Sequence, residues 1–192
     1  MNTSGNNNTA NGISTLGANT LGSANTAMGV LALQRNTTGE LNTAIGNQAL
    51  LNNISGIGNT AVGSGALLFN NVGNDNIAIG HDALNSSQSG SANIAIGFNA
   101  GVNVSTVSNV ICIGAIGADE SNSCFIGNIF DETSSGGTAV FVNAQGKLGT
   151  AASSRRFKEG IKPMEKASET LFALKPVTFH YRNDNRNHRN LV

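Results

Sequence analysis

The chain has 192 residues, among them 29 Asn and 24 Gly, but no Trp and only one Tyr. Large apolar side chains are too scarce for a single thick core, which argues against an ordinary globular enzyme. Only 11% of the residues are charged, the net charge is zero and no apolar run reaches membrane-spanning length. We therefore expect neither nucleic-acid binding nor membrane insertion.

The charge is unevenly distributed along the chain. Residues 1–150 hold two basic and seven acidic residues, whereas residues 151–192 hold nine basic and four acidic residues. This shift predicts a domain boundary near residue 150. The N terminus is polar and lacks the apolar stretch of a secretion signal, so we expect no signal peptide in this chain.

The first 117 residues repeat with a period of 17, which two columns of glycine show most clearly. The first column contains Gly12, Gly29, Gly46, Gly63, Gly80, Gly97 and Gly114. The second column contains Gly5, Gly22, Gly39, Gly56, Gly73 and Gly90. A fixed period without insertions indicates identical coils stacked along one axis. We therefore predict a rod over residues 1–117.

Aligned on the first glycine column, each coil reads Asn-Thr/Ile-Ala-x-Gly-x-x-Ala-Leu. Its asparagine column contains Asn25, Asn42, Asn59, Asn76 and Asn93. Small and β-branched residues predict a short strand in each half of the unit. The glycine ends the first strand, at a turn where a Cβ would clash. Stacked at roughly 4.8 Å per coil, the Asn side chains are expected to form a ladder of amide hydrogen bonds.

Each coil offers little material for a core, and we expect it to bury one Ile, two Ala and one Leu. Cys112 stands where earlier coils have Ala78 and Ala95, which predicts a small core residue and gives little support to a disulfide with Cys124. A lone rod of this kind exposes an apolar stripe along its length. We expect several rods to pack these stripes together around a common axis.

The series NTAIGNQAL, NTAVGSGAL and NIAIGHDAL resembles the head repeats of YadA-like trimeric autotransporter adhesins, and is more similar still to the repeats of bacterial and phage fibre proteins. The resemblance covers residues 8–114. It implies an all-β fold, a left-handed parallel β-roll or solenoid with three chains in each head. The unit of 17 residues is longer than the adhesin unit, which implies longer turns on one side of each coil.

The period breaks in the junction that follows the rod. Residues 123–127 and 138–142 are short runs of strand-forming residues, and the second run is followed by a turn at residues 143–146. These features predict a β-stem over residues 118–152 that connects the rod to the basic C-terminal segment.

Residues 153–192 read as a short α+β segment. Four apolar residues at helical spacing, from Met164 to Leu174, precede an alternating run at residues 177–181. The stretch SSRRFKEGIKPMEKASETLFALKPVTFHYR resembles the opening of the intramolecular chaperone domain of endosialidase-type tail spikes and fibres. The remainder of the family's domain does not follow before Val192, so we interpret this segment as a truncated chaperone domain.

The resemblance also implies one self-cleavage. In this family the chaperone directs trimer folding and then cuts itself off, using a Ser followed five residues later by a Lys. In this sequence those residues are Ser153 and Lys158, and the cut is expected between Ala152 and Ser153. A neutral Lys amine can deprotonate the Ser hydroxyl, whose oxygen attacks the preceding peptide carbonyl. The sequence departs from the family at Ser154, where Asp is frequent.

Together these features predict a homotrimeric fibre or surface adhesin-type protein that mediates attachment, located outside the cell, on a cell surface or in a phage virion. We expect no cofactor and no metal. We expect a glycan or protein receptor on a host cell or other surface to contact variable turn positions. Those turn positions include Asn47, Gln48, His81, Asp82, Phe98 and Asn99.

Two other functions stay open at this point. One is a self-processing serine endopeptidase, whose Ser153–Lys158 dyad acts once on its own chain. The other is an ice-binding β-solenoid, suggested by a column of threonines at the 17-residue spacing that gives way to Ile77 and Ile94. The threonine column contains Thr9, Thr26, Thr43 and Thr60.

Overall fold

The protein is described here by a computed structural model that covers residues 2–129, 137 and 139–150. The chain divides into two units, Met1–Thr133 and Ser134–Val192. The first unit is a parallel β-solenoid in which each coil contributes one strand of three residues. Its strands are β1 (Thr9–Asn11), β2 (Thr26–Met28), β3 (Thr43–Ile45), β4 (Thr60–Val62), β5 (Ile77–Ile79), β6 (Ile94–Ile96), β7 (Ile111–Ile113) and β8 (Cys124–Ile126).

The eight strands form one sheet in sequence order, and each strand pairs in parallel with the next. From β1 to β7 the partners are 17 residues apart, as in the pair Thr43↔Thr60. The all-β, parallel solenoid fold predicted from the repeat is therefore confirmed. The sheet continues past residue 117, because β8 pairs with β7 in the register Ile111↔Cys124. This last coil spans 13 residues instead of 17.

The second half of the repeat was predicted as a strand, and that prediction is wrong. The Ala-Leu segment forms turns, and its leucines adopt left-handed backbone conformations, with φ of 49° at Leu33 and 52° at Leu67. A left-handed residue costs about 1–2 kcal/mol. Burial of a leucine side chain contributes about 1.5–3 kcal/mol, which is enough to offset that cost. Each coil consequently has one strand and a long series of turns.

The core is a narrow column of small residues and leucine. In strands β2 to β6 the central alanine points inward and the two flanking residues point outward, as strand geometry requires, and Cys112 takes the alanine's place in β7. The expectation that each coil buries an Ile is therefore wrong, since Ile45 and Ile79 are 39% and 41% exposed. The fully buried alanines and leucines are Ala27, Ala32, Ala44, Ala49, Ala61, Ala66, Ala78, Ala83, Ala95, Ala100, Leu33, Leu50 and Leu67, with Leu84 nearly so.

The first glycine column lies where successive coils approach most closely. Gly63 has φ of +136°, and a Cβ there would collide with the carbonyl group of Gly80 in the next coil, 2.6 Å from its carbon. The same arrangement recurs from Gly12 to Gly80. Gly114 differs, because a Cβ there would meet nothing within 4 Å. Coil stacking thus requires glycine in this column from Gly12 to Gly80.

The described part of the second unit is an antiparallel hairpin. Strand β9 (Val140–Val142) pairs with β10 (Leu148–Thr150). The connecting turn closes with hydrogen bonds from the amide of Gly146 to the carbonyl of Asn143 (2.9 Å) and from the amide of Asn143 to the carbonyl of Lys147 (3.1 Å). The strand and turn predicted at these positions are confirmed. The helix and strand predicted within residues 153–192 lie outside the described residues.

Candidate functional site

The asparagine column before each strand forms a ladder of side-chain amides inside the solenoid. We call it the strand ladder; its members are Asn8, Asn25, Asn42, Asn59, Asn76 and Asn93. The Oδ1 atom of Asn42 accepts from both the backbone amide and the Nδ2 of Asn59, at 2.9 and 3.1 Å. These amides lie in the core, so each bond replaces hydration lost on burial. The predicted ladder is present.

A second ladder, which the sequence analysis missed, runs along a corner of the coil. We call it the corner ladder; its members are Asn2, Asn19, Asn36, Asn53 and Asn70. Here Oδ1 accepts only one bond from the next Asn, as from Asn70 Nδ2 to Asn53 Oδ1 at 2.8 Å. The members of this ladder are also 17 residues apart, so the spacing that identified the first asparagine column could have identified this one as well.

The two ladders meet at the second glycine column. The carbonyl of Gly56 accepts Nδ2 of Asn53 at 3.0 Å and Nδ2 of Asn42 at 2.8 Å. A Cβ on Gly56 would collide with the Asn53 amide oxygen and with the carbonyl of Gly73. Glycine is needed in this column because two amide side chains converge on its backbone.

The corner ladder is interrupted after Asn70. The next coil has Ser87 at that position, and its short side chain does not reach the Asn. The Oδ1 of Asn70 and the Oγ of Ser87 are both buried, and neither has a hydrogen-bond partner within the described residues. Such orphaned groups are uncommon in protein interiors and are destabilising.

The outward residues of β2 to β8 form a largely apolar face, which we call the sheet face. Its first column changes from Thr26, Thr43 and Thr60 to Ile77, Ile94 and Ile111 along the rod. Its second column contains Met28, Ile45, Val62, Ile79, Ile96, Ile113 and Ile126. Ile96 and Ile113 are 41% and 43% exposed in the single chain. A long apolar face of this kind marks an interaction surface.

The turns after the first glycine column carry the variable residues that were expected to contact a receptor. At this edge the rings of His81 and Phe98 stack with their centroids 5.6 Å apart, and Nδ1 of His81 lies 3.1 Å from a carboxylate oxygen of Asp82. The structure brings His81, Asp82 and Phe98 together on adjacent coils. Asn47 and Gln48 lie in the same column two coils earlier.

An open groove of about 520 Å³ lies on the corner of the solenoid, half a coil in sequence from the strands. Arg35, Asn52 and Phe69 form one wall, one residue from each of three successive coils. Gln88 and Asn71 lie on the opposite wall. Arg35 is one of the two basic residues within residues 1–150. The 17-residue alignment would have placed Arg35, Asn52 and Phe69 in a single column.

The remaining reactive residues do not assemble into a metal or disulfide site in the described part of the chain. No group of three or more His, Cys, Asp or Glu is positioned to hold a metal there. Cys112 is buried as predicted and is a free thiol. Its burial raises the pKa of the thiol, and the nearby Cys124 raises it further by a smaller amount. Ser153 and Lys158, the predicted cleavage dyad, lie outside the described residues.

Comparison with known proteins identifies the C-terminal segment. Residues 153–191 match the peptidase family described as Chaperone of endosialidase. The match associates the chain with tail fibres and tail spikes, in an extracellular or phage-tail setting. No curated protein and no solved structure was found to match. Over the described residues, the chain has no helix with the length and apolarity needed to span a membrane.

Proposed function

We propose that the protein is a homotrimeric fibre or surface adhesin-type protein that mediates attachment to a host-cell or other surface receptor. Its solenoid forms the head or shaft, and its C-terminal segment assists trimer assembly. The observation that carries the proposal is the sheet face, which runs along β2 to β8 of the first unit. The match of residues 153–191 to an assembly chaperone family supports it.

Three copies provide a natural way to bury the sheet face. The face repeats at every coil in the same register, so identical chains can contact one another at equivalent heights. The coil interior is already filled by Ala, Leu and Asn, and it leaves no room for these Ile side chains. Packing between chains then adds a shared apolar core to the narrow core inside each rod.

Native mass spectrometry of the full chain tests the proposal. We expect a species at three times the mass of one chain, which is 19.6 kDa before any cleavage. Ile96→Lys, on the sheet face, is expected to reduce the trimer at least about tenfold, since it places an unpaired charge in the interface. Ile57→Lys is the matched control, because Ile57 is 43% exposed but lies outside the strands, and it should leave the trimer intact. A monomeric wild-type chain, or equal effects of the two variants, would contradict the proposal.

A second candidate is self-processing, and it is favoured by the peptidase family match at residues 153–191. In this reaction the Oγ of Ser153 attacks the carbonyl carbon of Ala152, and the amino group of Ser153 leaves. Water then hydrolyses the resulting ester to give a new C terminus at Ala152. Lys158 takes the hydroxyl proton in the first step and delivers it to the amino group.

Intact-mass measurement after expression tests this reaction. We expect the wild-type chain to lose residues 153–192 and the Ser153→Ala and Lys158→Met chains to retain them. Ser154→Ala is the control and should be cut like the wild type. Cleavage in the Ser153→Ala chain would exclude the dyad, and an uncut wild-type chain would exclude self-processing in this protein.

A further inference from the structure

The corner groove defined by Arg35, Asn52, Phe69, Asn71 and Gln88 differs from the rest of the solenoid surface. Its column begins with Ala18 and continues to Ser86, so long side chains occur in it only beside the groove. Arg35 and Phe69 are two coils apart, which separates them by roughly 10 Å along the rod. They form the two ends of the groove, with the shorter Asn52 between them.

The backbone around the groove has few hydrogen-bonding groups left for a ligand. The amide of Ile54 donates to the carbonyl of Asn71, and the amide of Asn71 donates to the carbonyl of Gln88, at 2.9 and 2.8 Å. The amide of Val72 is also bonded to Gln88. An extended peptide therefore cannot add to this surface as a strand. Recognition must rely on the side chains that line the groove.

The positive charge of Arg35 selects a negatively charged ligand. Arg35 is the only Lys or Arg in the first unit, and within the described residues it forms no ion pair. Its Nη1 donates to Oδ1 of Asn52 at 3.1 Å, which fixes the guanidinium at the groove while leaving other N–H donors available. No carboxylate lines the groove. A ligand carboxylate can therefore pair with Arg35 through two parallel bonds.

The other side chains of the groove suit a ligand ring that carries hydroxyl groups. Asn71, Gln88 and Ser89 are exposed along one side of the groove and offer amide and hydroxyl groups, which can both donate and accept. Phe69 is 50% exposed and presents an apolar ring surface, to which the C–H face of a sugar can pack. The volume of the groove falls within the usual range for small-ligand sites, about 300–1,000 Å³.

We propose that this groove binds an acidic saccharide, with the sugar carboxylate on Arg35, the ring against Phe69 and the hydroxyl groups on Asn71 and Gln88. The inference names a ligand class for the proposed attachment function and rests on it. Because the groove is half a coil away from the strands, packing of the sheet face between chains leaves it accessible.

Saturation-transfer NMR with the full chain tests the groove, using methyl β-D-glucuronide as the probe and methyl β-D-glucoside as its neutral counterpart. We expect transfer to the glucuronide ring and affinity for the glucoside at least about tenfold weaker. Arg35→Gln and Phe69→Ala should each weaken glucuronide binding about tenfold. Phe141→Ala is the matched control, since it removes an exposed aromatic ring from the hairpin of the second unit and should have no effect.

Several outcomes would overturn the inference. They are equal binding of the two sugars, equal binding of acetate and the glucuronide, unchanged binding by Arg35→Gln, or stronger binding of an acidic tripeptide. Circular dichroism melting of each variant shows that lost binding does not reflect unfolding. A trimer without Arg35-dependent glucuronide binding would reject the groove alone. A monomer that binds the glucuronide through Arg35 would reject the trimeric fibre and keep the groove.

Discussion

The strand ladder and the corner ladder use the same side chain at the same spacing, but they end differently. At the end of the strand ladder, Oδ1 of Asn93 accepts the backbone amide of Val110 at 2.9 Å, and its Nδ2 donates to the carbonyl of Val107 at 2.9 Å. At the end of the corner ladder, Oδ1 of Asn70 has no partner within the described residues. One ladder ends fully bonded, and the other leaves a buried acceptor.

The difference comes from the number of donors that reach each oxygen. In the strand ladder every Oδ1 accepts a backbone amide, and those from Asn8 to Asn59 also accept a side-chain amide. Replacement of the next Asn by Val therefore still leaves one bond, as at Asn93. In the corner ladder each Oδ1 from Asn19 to Asn53 depends on a single Nδ2. Backbone donors are present whatever the residue, and they make the first ladder tolerant of sequence change.

The largest expected effect comes from breaking the coil stacking on which both ladders depend. Gly63→Ala places a Cβ against the Gly80 carbonyl at a positive φ, and we expect a loss of at least about 4 kcal/mol in the free energy of unfolding. Gly114→Ala is the control from the same column, has open space around it and should lose only about 1 kcal/mol. Chemical denaturation measures both, and similar losses would show that stacking is not the cause.

Removing one rung from each ladder sharpens the comparison directly. Asn59→Ala removes the Oδ1 that accepts both the buried backbone amide and the Nδ2 of Asn76. We expect the free energy of unfolding to fall by about 3 kcal/mol. Asn53→Ala removes the Oδ1 that accepts only the Nδ2 of Asn70, and the free energy of unfolding should fall by about 2 kcal/mol. Asn47→Ala, on an exposed turn, should change stability little. A larger loss for Asn53→Ala than for Asn59→Ala would contradict the two-donor explanation.

Extending the corner ladder should stabilise the protein. Ser87→Asn supplies a donor for the orphaned Oδ1 of Asn70 and removes the orphaned hydroxyl, so we expect a gain of about 1 kcal/mol by thermal denaturation. Ser86→Asn, on the same coil but with a partly exposed side chain, is the control and should give no gain. A destabilised Ser87→Asn chain would indicate that the site is too small for an amide.

The smallest effect is expected beyond both ladders, at the short last coil. Asp119 accepts the amides of Ser105 and Thr106 at 2.7 and 3.0 Å, and these bonds lower the pKa of its carboxyl below the usual 3.8. A lowered folded-state pKa stabilises the protein above the unfolded value, and the contribution is lost as pH falls through the folded pKa. Because Asp119 is exposed, Asp119→Asn should cost less than about 1 kcal/mol near neutral pH.

Urea denaturation of the wild-type and Asp119→Asn chains at several pH values tests that assignment. The difference between the two chains should be largest at neutral pH and should shrink as the acid is titrated. A difference that grows at low pH would have the wrong sign for a stabilising carboxylate. Glu120→Gln, next to it on the same coil, is the control.

The sequence predicted the features that depend on spacing alone. A constant period is enough to infer parallel coils, and the Asn and Gly columns follow from aligning that period. The period could not predict which half of the repeat forms the strand, because Ala-Leu suits either a strand or a turn. Burial of Leu33 outweighs its unfavourable φ, and that balance is decided by the finished core. The groove was missed because its walls come from different columns that meet only at a folded corner.

The 13-residue last coil has a consequence for how the chain finds its register. Neighbouring full-length coils are nearly interchangeable. A folding chain that loops out one coil could therefore pair each remaining strand with the strand of the next coil but one, and lose few hydrogen bonds. A coil of different length fits beside only one neighbour, β7, in the register Ile111↔Cys124. It therefore acts as a fixed reference from which the other coils are counted.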